Sequence, residues 1–330
     1  MKFLTLTFLI LSIVTSSSGQ ELYPGKANDP ETDVSAAYKY ESKYLTVGDN
    51  KVHYIESGKG DPVIFLHGIP TWSYLWRNVV NKVDDNKRAI APDFLGYGKS
   101  DFPLDKQVPL EAQYMMLKGF ISQLGLKNLI LVVNDLGSFV GLHYAAQHPE
   151  NIKGIVMIEA SYMPGEEWYK QLTFKQKMMV SMMKSEKRAK KMLVDKNMGG
   201  RKMVSMFTQR KLSDEEKEMY LMPFEEEDRR YAMINGPGPT EFPKKMISTE
   251  KGDMADVMNS FAKELTKATY PIHLIYAKPG MLVRKEAVEY ARANFKNYSE
   301  TYIGKGKHFV PESHPKAIAK AINKWYNSFN

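Results

Sequence analysis

The stretch Leu131-Val132-Val133-Asn134-Asp135-Leu136-Gly137-Ser138 sets a carboxylate at the junction of two unlike patterns. Leu129 to Val133 is an apolar run rich in β-branched residues, which predicts a buried strand, and Phe139 to Ala145 continues as a helix with an apolar face. A sharp turn from strand to helix exposes one side chain at its apex, here Asp135, and a small neighbour such as Gly137 relieves the crowding. A carboxylate is ionised near pH 7 without help from a base, so a nucleophile of this type points to attack on saturated carbon. The same tetrapeptide also allows a plainer reading, in which Asp135 turns the chain or caps the helix. Serine chemistry is disfavoured, because Ser138 lies in Leu136-Gly137-Ser138-Phe139-Val140 and lacks the flanking glycines of Gly-x-Ser-x-Gly.

The elements around this turn alternate. Lys51 to Ile55, Val63 to Leu66, Lys87 to Ala91, Leu129 to Val133 and Lys153 to Ile158 read as strands; Ser73 to Val83, Leu110 to Leu124 and the stretch after Asp135 read as helices. That alternation predicts an α/β fold with a mostly parallel, doubly wound sheet. From about 160 to 265 strand signals vanish and the chain becomes helical and rich in Met, Lys and Glu. Met178-Met179 and Met182-Met183 recur at a spacing of four, which suits a helical lid packed on the core or a pocket roof. Gly236-Pro237-Gly238-Pro239 breaks the helical pattern. Strand and helix signals resume at Ile272 to Tyr276, Lys285 to Asn294, Glu300 to Ile303 and Pro315 to Phe329. The expected organisation is a core over 37–160 and 266–330, interrupted by a helical cap over 161–265.

A chain of 330 residues can bury a sizeable core. Its start, a basic Met1-Lys2, an apolar Phe3 to Val14 and a small-residue exit through Gly19, predicts a signal peptide over 1–20 and a secreted or periplasmic protein. A retained membrane anchor is the alternative, and no second long apolar segment follows. Residues 21–36, polar with scattered Pro and Gly, predict an extended or mobile lead-in. With no cysteine there is no disulfide framework, thiol chemistry or cysteine metal site, and no cofactor or metal is expected. The formal charge is +8, part of it in Lys170 to Lys191, which lacks a nucleic-acid fold signature and reads as a solvated helix face.

Four segments follow predicted strands: His67-Gly68-Ile69-Pro70 with Thr71-Trp72-Ser73-Tyr74-Leu75-Trp76-Arg77, Ala91 to Asp101, the Asp135 turn, and Gly306-Lys307-His308-Phe309. In these segments, and in their order, the chain resembles the haloalkane dehalogenase family of aspartate-nucleophile α/β-hydrolases. The resemblance spans about residues 40 to 160 and 270 to 329 and is weak in the cap. It implies that Asp135 displaces a leaving group and forms a covalent alkyl ester, and that His308 deprotonates the water that hydrolyses it. It also implies an acid that orients His308. One branch of the family takes that acid from the strand after the nucleophile's helix, where Val156-Met157-Ile158-Glu159-Ala160 offers Glu159; the alternative position, Tyr276 to Leu282, has none. His67 reads as structural, ahead of a loop whose amides face the site, and His53, His143, His148, His273 and His314 read as surface or core fillers.

The departures concern the leaving group. Dehalogenases typically place a halide-binding Trp after the nucleophile and often an Asn in the loop after His-Gly, where this chain has Leu136 and Ile69, which offer only backbone N–H groups. Losing one preorganised donor costs on the order of 3 kcal/mol, about a hundredfold in rate. Trp168, early in the cap, is a candidate indole donor, with aromatic packing the other reading. An epoxide hydrolase with the same ester chemistry is the second function considered; it requires cap tyrosines, for which Tyr162, Tyr169 and Tyr220 are candidates by location. A non-catalytic binder of a hydrophobic ligand is the third. The expected partners are a small apolar organic substrate and water, with no nucleic acid and no stable membrane insertion.

Overall fold

The computed structural model describes residues 28–103, 105–183, 185–234 and 254–329. The expected signal peptide and the Gly236 to Pro239 break lie outside the described residues. Eight strands form one sheet in the order β1-β2-β4-β3-β5-β6-β7-β8. They are β1 (Lys43–Val47), β2 (Asn50–Ser57), β3 (Asp61–Leu66), β4 (Lys87–Pro92), β5 (Leu129–Val133), β6 (Ile152–Ile158), β7 (Ile272–Pro279) and β8 (Tyr298–Gly306). β1 and β2 run antiparallel at one edge, and the pairs from β4 to β8 are all parallel. The central strands are sealed on both faces, which is why Val63 to Leu66, Leu129 to Val133 and Ile155 to Ile158 are unbroken apolar runs with no exposed surface.

Helices cover both faces. α1 (Leu110–Gln123) and α2 (Leu136–Gln147) lie on one, and the C-terminal helix Pro315–Tyr326 lies on the other, burying Ile318, Ala319, Ile322 and Trp325 at helical spacing. The helix expected over 73 to 83 is instead two short 3₁₀ turns, Ser73–Trp76 and Val80–Lys82. Trp72, Tyr74, Trp76 and Arg77 are all buried here, and the Ser73 N–H is held by Asp93 Oδ1 at 2.7 Å, so tertiary contacts rather than helical periodicity set the backbone.

The described part of the lead-in is extended but tied down. Glu31 donates its N–H to the Ser313 carbonyl and accepts the Lys316 and Ala317 N–H groups at the start of the last helix. Ser35 offers its carbonyl to Arg77 and Asn78, and Ala36 offers its own to the Tyr74 hydroxyl. Residues 28–42 therefore form a strap across the core.

Between β6 and β7 the described residues contain no strand. α3 (Gly165–Gln171) opens a series of short helices. The helix Met254–Lys267, placed mostly in the cap by its sequence, belongs to the core layers: Phe261 meets Phe139 of α2 edge-on at 6.4 Å. Its buried Met254, Met258, Phe261 and Leu265 give it a strong apolar face, which needs the core to cover it. Phe174 and Met178 of the helix Phe174–Met183 are exposed, so Met178 is not packed onto the core; the Met179, Met182 and Met183 side chains lie outside the described residues. Lys175, Lys187, Arg188, Lys190 and Lys191 are exposed.

Candidate active site

Asp135 stands between β5 and α2 with φ +47° and ψ −116°, a conformation rarely adopted by a side-chain-bearing residue. The turn holds because its neighbours leave room: a Cβ on Gly137 would lie 2.4 Å from the Leu66 carbonyl oxygen, and one on Gly68 would lie 2.3 Å from the Asp135 Cβ. Ser138 braces it from behind, its hydroxyl donating to the Asp135 carbonyl and accepting the Ser161 N–H at 2.9 Å. The hydroxyl is thus spent on the turn, in line with the absence of a serine nucleophile motif.

Two backbone amides and one imidazole address the Asp135 carboxylate. The Ile69 N–H donates to Oδ1 at 2.9 Å, the Leu136 N–H contributes a second bond, and His308 Nε2 lies 3.2 Å from Oδ2. His308 Nδ1 faces Glu159 Oε2 at 3.2 Å. Glu159 is itself at φ +45° and fully buried, and its carboxylate collects the N–H groups of Met281, Leu282 and Val283. The β7 loop without an acid therefore supplies a nest of amides for the acid on β6. Three residues separated widely in the chain, Asp135, His308 and Glu159, form one relay.

The electrostatics follow from the geometry. Burial alone would raise the Asp135 carboxyl, but His308 and the two amides hold it below the usual carboxylate range. Burial pulls His308 down, and the hydrogen bonds and charges of Asp135 and Glu159 outweigh it, raising its pKa to about 9. His67 is fully buried and its pKa is lowered by burial; Nδ1 pairs with the Gly68 carbonyl at 3.0 Å while Nε2 accepts the Phe94 N–H, a structural role.

The cap candidates lead to different places. Trp168 is buried on α3 in the apolar cluster that contains Leu136. Tyr162 packs edge-on against Phe295 at 5.7 Å, and Tyr169 is half-buried with Lys177 Nζ 5.3 Å above its ring. Tyr220 donates its hydroxyl to Glu312, so it is not a free donor for a substrate oxygen. Of the seven histidines, His53 is a buried partner of Asp93 at 2.8 Å. Sequence reasoning missed the ion cluster to which Tyr220 belongs: Arg77, Arg210, Glu216 and Glu312. Its visible signal was Ser213-Asp214-Glu215-Glu216, a capping box that the structure forms in full.

Among the described residues no group of three acidic or histidine side chains is placed to hold a metal ion, and no helix is long and apolar enough to cross a membrane. A family model for the alpha/beta hydrolase fold matches residues 61–315. A haloalkane dehalogenase of Mesorhizobium japonicum is 31% identical over 306 residues, covering 91% of this chain and 94% of the relative. One from Sphingobium indicum is 30% identical, covering 86% and 94%. Among solved structures, haloalkane dehalogenase DbeA from Bradyrhizobium elkani superposes with a TM-score of 0.81 at 28% identity, covering 88% of this chain and 98% of that one. Fold, elbow and relatives converge, and the chain belongs to the haloalkane dehalogenase family of α/β-hydrolases.

Proposed function

We propose that this hydrolase cleaves a carbon–halogen bond of a small apolar organic substrate through an ester on Asp135. The observation that carries this reading is the Asp135 carboxylate itself, with Oδ1 held by the Ile69 amide and Oδ2 turned to His308 Nε2. Oδ2 attacks the substrate carbon from the side opposite the halogen, and the halide leaves with the bonding electron pair. The ester neutralises Asp135. His308 Nε2 then takes a proton from water as its oxygen adds to the Asp135 carboxyl carbon. Oδ1 gathers negative charge in that step, and the Ile69 N–H is aimed at it, with the Leu136 N–H bound to the same carboxyl group. Collapse releases the alcohol and restores the carboxylate, while Glu159 and its three amides stabilise the imidazolium.

Leu136 and Ile69 bring no side-chain donor to the departing halide, so bromides, which leave more readily than chlorides, are the suitable probes. The epoxide alternative loses support from Tyr220, whose hydroxyl is engaged by Glu312. Secretion or export to the periplasm is proposed from the Met1 to Gly19 pattern alone. The test is to incubate the protein with bromoalkanes and with epoxides, following bromide release, diol formation and intact mass. Bromide release by the wild type is expected, together with a stoichiometric alkyl mass gain in His308→Phe. Diol without bromide would reassign the chemistry to epoxides, and neither product nor adduct with either panel would leave a ligand binder.

A further inference from the structure

Glu312 lies four residues beyond His308, on the 3₁₀ turn Val310–Glu312, and is fully buried. Its Oε1 accepts from Arg77 Nη1 and the Tyr220 hydroxyl, and its Oε2 accepts from Arg77 Nη2 and Arg210 Nη2. Its backbone carbonyl accepts from Arg210 Nε. Arg210 follows closely on Phe207, whose carbonyl accepts the N–H groups of both His308 and Phe309, at 3.0 and 3.1 Å. The segment 207–210 is therefore stitched to the segment 308–312 at both ends. Arg77 ties the same knot to the rest of the protein. Its five N–H donors reach the Ser35 carbonyl of the strap, the Tyr74 carbonyl, Glu216 and both oxygens of Glu312. Two cations and two anions meet here, with Arg77, Glu216 and Glu312 buried and Arg210 partly exposed, so the geometry has little slack.

We propose that Glu312 is a positioning residue for His308: its bonds to Arg77, Arg210 and Tyr220 fix the loop that carries the imidazole over Asp135. This rests on the ester mechanism above. In that mechanism His308 acts only when the ester is hydrolysed, whereas Asp135 makes the ester with its own two amides. A loosened His308 loop therefore slows one half-reaction and spares the other, whereas general loss of fold lowers both.

The experiment is rapid-quench intact-mass analysis of the full chain with 1-bromobutane. In Glu312→Gln, ester formation stays within about twofold of wild type and ester hydrolysis slows roughly ten- to hundredfold, the scale of a misplacement near 1 Å, so the alkylated enzyme accumulates. Tyr220→Phe removes one hydroxyl and keeps the charges; it gives a smaller slowing of the same step and serves if Glu312→Gln does not fold. Equal loss of both steps in Tyr220→Phe, or unchanged hydrolysis in a folded Glu312→Gln, overturns the proposal. Absence of any adduct in His308→Phe overturns the underlying mechanism instead.

Discussion

At the scale of single residues, the site separates two charge states. His308 rests between two carboxylates and holds its proton up to about pH 9. Alkylation converts Asp135 to a neutral ester and removes one of those anions, so the His308 pKa falls and its proton leaves for solvent, making the base available when it is needed. Asp135, in turn, is held below the usual carboxylate range and stays ionised in mild acid. The two half-reactions should therefore respond differently to pH. Ester formation requires the Asp135 anion, which is present above its lowered pKa, so its rate is expected to stay flat from pH 8 down to about 5. Ester hydrolysis requires neutral His308 and should fall about tenfold per pH unit below that group's pKa in the ester state. Single-turnover mass analysis across this range should show the alkyl ester building up in acid. If ester formation and hydrolysis declined together, the assigned roles of Asp135 and His308 would be wrong.

At the scale of elements, the turn from β5 to α2 depends on what is missing from Gly137. Adding a methyl there sets carbon 2.4 Å from the Leu66 carbonyl oxygen, which is backbone of the adjacent strand and cannot swing aside. Gly137→Ala is expected to lower stability by about 1–3 kcal/mol, the usual cost of overpacking, and to remove most ester formation by displacing Asp135. Thermal unfolding and the mass assay check this together, and an unchanged midpoint with normal ester formation would show that the turn has more freedom than its geometry allows. This turn was legible in the sequence because a buried strand, a carboxylate and a small residue are adjacent there. Most of the parallel strands were legible for the same reason, since burial on both faces leaves continuous apolar runs. β1 was not, because Lys43–Val47 is an edge strand whose residues are never fully buried and carry little apolar signal. Glu159 was found through family resemblance, but the three amides that hold it come from residues 281–283, and backbone donors leave no trace in side-chain identity. The two turns over 73–82 were misread as one helix because the contacts that shape them come from Asp93 and from the strap.

At the scale of the whole molecule, the core, the helical insertion, the histidine loop and the N-terminal strap meet at Arg77. The insertion is also fixed elsewhere, by Trp72 donating to the Met219 carbonyl and Arg229 donating to the carbonyls of Gly98 and Ser100, but among the described residues all four segments join at Arg77. Burial alone would raise the Glu216 carboxyl, yet Arg210 and Arg77 hold it below the usual range, so Glu216 depends on its cations for staying charged out of water. Arg77→Met keeps comparable bulk but leaves two buried carboxylates to one guanidinium, and is expected to cost about 3–5 kcal/mol in denaturant unfolding at pH 7. The loss should be partly an excess of negative charge, and that part can be isolated. In Arg77→Met/Glu216→Gln one anion is removed with the cation, and the double variant should be more stable than Arg77→Met alone even though it carries more substitutions. A double variant no more stable than the single one would mean that lost packing, and not charge balance, accounts for the role of Arg77. A single variant within about 1 kcal/mol of wild type would mean that the four segments are held together by their apolar contacts.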